Sequence, residues 1–434
     1  MKYVIIIPDG AADLPLDELG GRTPFQAASM PNLQALARAG RVGTAVTTPP
    51  GWEAGSDVCS MSLLGYDPRR YHTGRAPLEA AALNIQSAEN DWIFRLNLVT
   101  TGGGSDGEAS HGPLMLDHSA GAVTSAEARL LVADLMSHWS RVCPDASRGV
   151  ELHPGVSYRN IMMHRGVSAG YEKLVTTPPH AVPGEPWKSY LPSGPDAAAV
   201  GRLRTLIETS AAFLPGHEVN RARIASGLRP ASMAWIWGQG TRPQVPSFQE
   251  RFGLRGAMIT SVDLLAGIAS FLGWDRLDVP GLTSYHDTDY AAQGRATCTA
   301  IARYDVVCSH VESPDEASHQ GDWQTKVAAL EAIDREIIAP VWRELEQLDD
   351  TSQQGERRAG KPGWRLLVMP DHFTLVSTRK HDATPVPFLI AGTRMRALVP
   401  RGFDEDSAAE SDLRVEEGHE LMEYFLRGNQ AGVR

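Results

Sequence analysis

An α/β fold built around a sheet covered on both faces is predicted from three observations. Short apolar runs rich in β-branched residues recur along the chain. Helical patterns with 3.6-residue spacing lie between several of them, and acids and histidines follow directly after the runs. The runs fall at residues 3–7, 233–237, 257–260, 305–311, 365–369 and 386–390. They are continuously apolar rather than alternating, as strands with helices packed on both sides require. The spacing predicts helices over 31–39, 326–348 and 415–426, the last closing the chain.

Between about residues 91 and 229 the pattern changes. A Gly-rich loop at 101–107, a helix near 125–137 and a Pro-rich stretch at 177–195 read as an inserted second domain. At 434 residues the chain is long for one core, so two domains are the natural expectation. The predicted division is a discontinuous core domain of residues 1–88 and 230–434, with an insertion of 89–229. The run 349–363 is polar and Gly-containing and reads as a surface loop. No internal repeat is visible.

Composition is that of a soluble globular enzyme, with 42% hydrophobic and 21% charged residues. The net charge of -11 argues against nucleic acid or an anionic membrane as partner. A small anionic substrate would then need metals or arginines placed locally. No apolar stretch approaches the ~20 residues of a membrane span, and MKYVIIIPDG does not read as a signal peptide. Cys59, Cys143, Cys298 and Cys308 are widely separated without CxxC spacing, which fits reduced thiols and a cytoplasmic location.

The chemistry-bearing residues come in two groups more than 250 positions apart. Asp9 follows the first apolar run and precedes a glycine, so its carboxylate points to the crevice where α/β sheets bind ligands; a turn or cap aspartate is the plainer alternative. Ser56 opens the helical stretch 58–64, either as a simple N-cap or as a hydroxyl lying among N–H groups that favour phosphate. Asp315 and His319 form D-x-x-x-H just after a buried run, which places both side chains on one face of a helical turn, as a shared metal needs. Asp371 and His372 follow the run 365–369, and His381 comes nine residues later, either as a further ligand or as a loop histidine. Mixed Asp/His ligation is compatible with Mn²⁺, Zn²⁺ or Mg²⁺, and the histidine content favours the first two.

The segments carrying these residues resemble the cofactor-independent phosphoglycerate mutases, archaeal type, of the alkaline phosphatase superfamily. They include PDGAADLP and GGRTPFQAA within 8–28, GSDVCSMSLLGYDP at 55–68, YHTGRAPLEAAAL at 71–83 and FRLNLVT at 94–100. GVSYRN at 155–160, WIWGQG at 235–240 and RGAMITSVDLLAGI at 255–268 continue the series. HVESPDEASHQGD at 310–322 and PDHFTLVSTRKHDATPVPF at 370–388 complete it.

The resemblance implies an alkaline-phosphatase-like core sheet flanked by helices, with a smaller α/β insertion acting as a lid. It implies an isomerase that interconverts 3-phosphoglycerate and 2-phosphoglycerate in glycolysis and gluconeogenesis, without 2,3-bisphosphoglycerate. One divalent ion would be held by Asp315, His319 and His381. A second would be held by Asp9, Asp371, His372 and Ser56, with Ser56 as the nucleophile that becomes phosphoserine. Mn²⁺ is favoured, with Mg²⁺, Zn²⁺ and Co²⁺ as alternatives. Arg75, Arg95 and Arg159 are the implied substrate-binding arginines.

The chain departs from the family pattern at Cys59, Ala122, Phe373 and Arg295, where alanine, histidine, a smaller residue and lysine are usual. A homoserine kinase-like phosphotransferase of the same branch is the alternative acceptor chemistry. No GxxxxGK[ST] nucleotide loop occurs.

Overall fold

The computed structural model describes residues 1–102, 113–166, 170–350, 363–397 and 399–428. The predicted Gly-rich loop beyond Gly102, and the predicted surface loop between Asp350 and Gly363, lie outside the described residues. In chain order the strands are β1 (Lys2–Pro8), β2 (Arg41–Ala45), β3 (Trp92–Gly102), β4 (Leu114–Asp117), β5 (Val150–Pro154), β6 (Arg159–His164), β7 (Met233–Thr241) and β8 (Gly256–Ile259). They continue as β9 (Asp275–Arg276), β10 (Val306–Val311), β11 (Trp364–Val368), β12 (Phe373–Leu375), β13 (Lys380–Asp382), β14 (Val386–Gly392) and β15 (Arg414–Val415).

Two units divide the chain, Met1–His72 with Gln244–Arg434, and Thr73–Pro243. The first holds a sheet in the order β15-β2-β14-β11-β1-β10-β8-β9. Strands β11, β1, β10 and β8 run parallel; β14 is antiparallel to β11, and β2, antiparallel to β14, returns to the direction of the others. Val4, Ile5, Ile6 and Ile7 are fully buried, so β1 is covered on both faces, as its unbroken apolar run requires. The predicted helix over 31–39 is present as Pro31–Ala39. Residues 326–348 fall within the helix Trp323–Ile333, one wide turn at Asp334–Ile338 and the helix Ala339–Asp350. The closing helix is shorter than expected, because Val415 ends β15 and the helix runs over Leu421–Arg427.

The second unit is built on antiparallel pairing, with β3 between β6 and β7, β5 on β6, and β4 on the far end of β3. Helices Ser125–Val142 and Ala197–Phe213 contribute Leu131, Leu135, Leu203 and Leu206 to its core. The observed divisions, after His72 and after Pro243, differ from the expected 88/89 and 229/230. The reason lies in pairing. β7 looks like one more apolar core strand but hydrogen-bonds along β3, and the helix Arg75–Ala82 packs Ala76 and Ala80 against Ile93 and Ile161. Among the described residues no helix is long and apolar enough to cross a membrane.

Candidate functional site

In the first unit three neighbouring parallel strands deliver acids and histidines from the same edge of the sheet. Ile7 of β1 lies in register with His310 of β10, and Ile6 with Val368 of β11. Asp9 therefore leaves β1 beside the ends from which Glu312 and Asp371 emerge, the crevice that α/β sheets reserve for ligands. Gly10 has a φ of 57°, and a Cβ there would collide with the Asp315 carboxylate and the Thr374 hydroxyl. Only glycine lets the chain turn away from Asp9 so close to Asp315. The helix Ser313–Gln320 carries Asp315 and His319 one turn apart. The ribbon β12–β13 brings His381 opposite Thr374, which a sequence reading of His381 as a loop residue misses.

The histidines share one hydrogen-bonding pattern. His319 donates Nδ1–H to the Arg379 carbonyl (3.0 Å) and His381 to the Ala54 carbonyl (3.1 Å). The Thr374 hydroxyl donates to Asp315 at 2.5 Å, so His372 Nδ1, at 3.1 Å, donates to that oxygen or to the Phe373 carbonyl at 3.3 Å. In each ring Nε2 is left pointing into the acid cluster, the atom that metal ligation needs. His319 Nε2 lies 2.9 Å from His381 Nε2 and 3.1 Å from Asp315, and His381 Nε2 lies 3.5 Å from Asp315. His372 Nε2 lies 3.5 Å from both Asp9 and Asp371.

Asp9 is wholly buried, and its Oδ1 has no hydrogen-bond partner among the described residues. Burial, then the charges of Asp371 and Asp315, push its carboxyl well above the usual range. Asp371 is also fully buried, and it accepts hydrogen bonds from the Gly10 and His372 N–H groups and the Ser60 hydroxyl. An orphaned buried carboxylate oxygen beside other carboxylates is costly unless a cation meets it. The donor sets Asp315/His319/His381 and Asp9/Asp315/His372 each converge within 4.8 Å, so the residues fit divalent cations. In the metal-free chain the hydrogen bond to Asp315 pushes the His319 imidazole up to about 9.

Ser56 is the first residue of the helix Ser56–Leu63, not its cap. Gly55 takes the cap position and no side chain caps the N–H groups. The buried Ser56 hydroxyl is thus left for chemistry, 3.3 Å from His372 Nε2. Asp57, the next residue, pairs instead with His72 at 2.8 Å. Of the departures from the family pattern, Cys59 is fully buried, 3.2 Å from the Thr48 hydroxyl, and its thiol is pushed up to about 12 by burial.

The three arginines singled out from the sequence gather on the second unit. Arg95, on β3, is 9% exposed, lies 3.0 Å from Glu79 and places its guanidinium 4.1 Å from the centre of the Trp237 ring. Trp237 is its direct cross-strand partner on β7. Burial lowers the Arg95 pKa, and although Glu79 opposes this, the charges of Arg75 and Arg159 add to it. Arg75 opens the helix Arg75–Ala82 and Arg159 opens β6. Sequence reasoning misses His180, whose ring lies 5.6 Å from Trp237. Its desolvation, then Arg95, His118, Arg75 and Arg159, push its pKa down to about 4. His118 stands 6.1 Å from His180, four positions before Ala122, where the family histidine was expected. A cluster of this charge suits a carboxylate or phosphate.

Comparison with known proteins finds relatives along nearly the whole chain. The family model for 2,3-bisphosphoglycerate-independent phosphoglycerate mutase matches residues 37–220. A protein of that name from Methanothrix thermoacetophila is 43% identical over 99% of this chain and 100% of its own length. A second, from Methanothermobacter thermautotrophicus, is 42% identical over 98% of this chain and 97% of its own. Among solved structures, a cofactor-independent phosphoglycerate mutase from Thermoplasma acidophilum superposes with a TM-score of 0.63 at 25% identity, covering 98% of this chain and 99% of that one. A Pyrococcus horikoshii protein gives 0.77 at 25% identity, covering 99% and 98%.

Proposed function

The chain belongs to the 2,3-bisphosphoglycerate-independent phosphoglycerate mutase family, and from that premise we propose how its residues carry the reaction. The enzyme is an isomerase that interconverts 3-phosphoglycerate and 2-phosphoglycerate, and divalent metal ions are its cofactors. Asp315, His319 and His381 would hold one ion, and Asp9, Asp371, His372 and Ser56 the other. The observation that carries this assignment is the Ser56 hydroxyl, buried at the first turn of its helix, used by no cap and 3.3 Å from His372. Mn²⁺ suits a set of carboxylates and imidazoles better than Mg²⁺, with Zn²⁺ and Co²⁺ as competitors.

Ions bound there supply charge neutralisation for phosphate oxygens and acidify a coordinated hydroxyl. Ser56 Oγ forms a bond to phosphorus as the bond to the glycerate oxygen breaks, and the proton that Ser56 gives up ends on the released glycerate oxygen. The helix start at Ser56 offers N–H groups to the phosphate in its new position. The free glycerate turns, its other oxygen attacks phosphoserine, and the proton returns to Ser56. Arg75, Arg95 and Arg159 hold the carboxylate throughout, because a planar guanidinium grips it with two hydrogen bonds. Excluding water while phosphoserine exists, so that it is not hydrolysed, is the part we assign to the inserted unit as a lid.

Ser56→Ala should lower mutase turnover by roughly 10³-fold or more in an enolase-coupled assay with Mn²⁺, and should abolish ³²P labelling of the protein by substrate. Full turnover by this variant would remove the phosphoserine route.

A further inference from the structure

We propose that Thr374 is a positioning residue shared by both ions, its one hydroxyl fixing Asp315 for the first and His372 for the second. The proposal rests on the two-ion assignment above, in which Asp315 and His372 serve different ions.

The direction of the hydrogen bonds is the first support. Thr374 is fully buried, and its hydroxyl has a single proton to give. Oγ1 lies 2.5 Å from Asp315 Oδ1, and a carboxylate ionised for metal binding accepts but cannot donate. The proton therefore goes to Asp315. Oγ1 then has only lone pairs to offer the His372 ring, 3.1 Å away, so His372 Nδ1 carries the hydrogen between them. A directed chain results, from His372 Nδ1–H to Thr374 and from Thr374 O–H to Asp315. Each link leaves a ligating atom free. His372 keeps Nε2, 3.5 Å from Asp9 and Asp371, and Asp315 keeps Oδ2, 3.1 Å from His319 Nε2.

The hydroxyl is itself held in place. The Thr374 N–H donates to the Ala12 carbonyl at 3.2 Å, and the Thr374 carbonyl accepts Lys326 at 2.8 Å. A β-branched side chain on an anchored backbone has few rotamers open to it. Gly10 completes the setting, because a Cβ there would occupy the room that Oγ1 takes. The remaining rings differ in kind. His319 is held by the Arg379 carbonyl and His381 by the Ala54 carbonyl, one backbone group for each ring. Thr374 instead joins a ligand of one ion to a ligand of the other, so its loss reaches both. The competing arrangement turns His372 Nδ1–H to the Phe373 carbonyl at 3.3 Å and leaves Thr374 to Asp315 alone.

Calorimetric Mn²⁺ titration of metal-free, full-length protein separates the two. The wild type should take up two ions per chain. His319→Ala should keep the ion at His372, and His372→Ala the ion at His319. Thr374→Val keeps volume and branching and removes the hydroxyl. Added to either background, it should weaken the remaining ion roughly 10- to 100-fold. Thr374→Ser restores the hydroxyl and should restore both affinities, whereas a role in packing alone would be met better by valine. Weakening in one background only overturns the sharing, and weakening in neither overturns the positioning role. Both results leave the two-ion assignment standing. A wild-type count other than two overturns that assignment and the proposal with it. ¹⁵N NMR of the metal-free wild type, which needs no variant to fold, should find the neutral His372 ring with its hydrogen on Nδ1. A hydrogen on Nε2 overturns the chain.

Discussion

The two units meet an anion in opposite ways. The first gathers acids, with Asp9, Asp315 and Asp371 buried at the ends of parallel strands, and can attract a phosphate only through cations that it recruits. The second gathers fixed positive charge, with Arg75, Arg95 and Arg159 around Trp237 and His180. The difference teaches a division of labour. On the proposed mechanism, recruited dications would polarise the atoms that react, whereas guanidinium groups would hold the part that does not. The acidic unit also holds a buried cation of its own, Lys326.

Lys326 is fully buried, 2.9 Å from Asp13, and donates to the Thr374 carbonyl at 2.8 Å. Asp13 accepts the Val376 N–H as well, so the pair ties the loop after β1 to the ribbon that carries Thr374. Thr374 in turn bonds Asp315 and lies beside His372. Lys326→Met would strand a buried carboxylate without a countercharge, and we expect it to lower unfolding free energy by about 3–5 kcal/mol in urea titrations. A loss under about 1 kcal/mol would show that the Lys326–Asp13 pair contributes little to the stability of the first unit.

Much of this candidate site is legible in the sequence because its candidate ligands closely follow strands that are buried on both faces. The unbroken run before Asp9, and the one before Asp371 and His372, could form only central strands, and a parallel sheet presents their ends together. Asp315 and His319 were legible from their spacing on one helical turn. His381 was harder, since β12 and β13 have three residues each and leave no periodicity to detect. The observed divisions differ from the expected ones because β7 has the apolar character of a core strand, and only its hydrogen-bonding partner distinguishes it. His180 lies in a Pro-rich stretch with no pattern at all, and Lys326 looks like any polar position on an amphipathic helix. Ser56 was found as a helix start, yet its release from capping depends on Gly55, which only the backbone shows.

The basic cluster is tested by Arg95→Lys. Lysine keeps the charge but not the planar fork, and it forgoes the stack on Trp237. The expected result is a 10- to 100-fold fall in kcat/KM, roughly 1.4–2.7 kcal/mol, carried mainly by KM. Bound metal should stay at the wild-type level. An unchanged KM would remove Arg95 from substrate binding, and a loss of metal would mean that the contrast between the units is drawn in the wrong place.

The smallest effect separates the units by pH. In the metal-free chain the hydrogen bond to Asp315 raises His319 to about 9, so at neutral pH an incoming ion must displace a proton from that ring. Proton and metal compete for the same lone pair, so Mn²⁺ affinity should rise with pH up to about 9 and level off above it. The slope should approach about tenfold, or ~1.4 kcal/mol, per pH unit. In the arginine cluster the nearby histidine behaves in the opposite sense. His180, held down to about 4, remains neutral from pH 5 upward, and the guanidinium charges do not titrate. Binding of 3-phosphoglycerate to metal-free protein, if it engages that cluster, should therefore be nearly flat between pH 6 and 9. Calorimetry in buffers of different ionisation enthalpy measures both quantities, since proton release accompanies Mn²⁺ binding and not ligand binding. A flat Mn²⁺ affinity would mean that Asp315 does not hold a proton on His319. A steep ligand affinity would mean that a titrating group, and not guanidinium alone, recognises the anion.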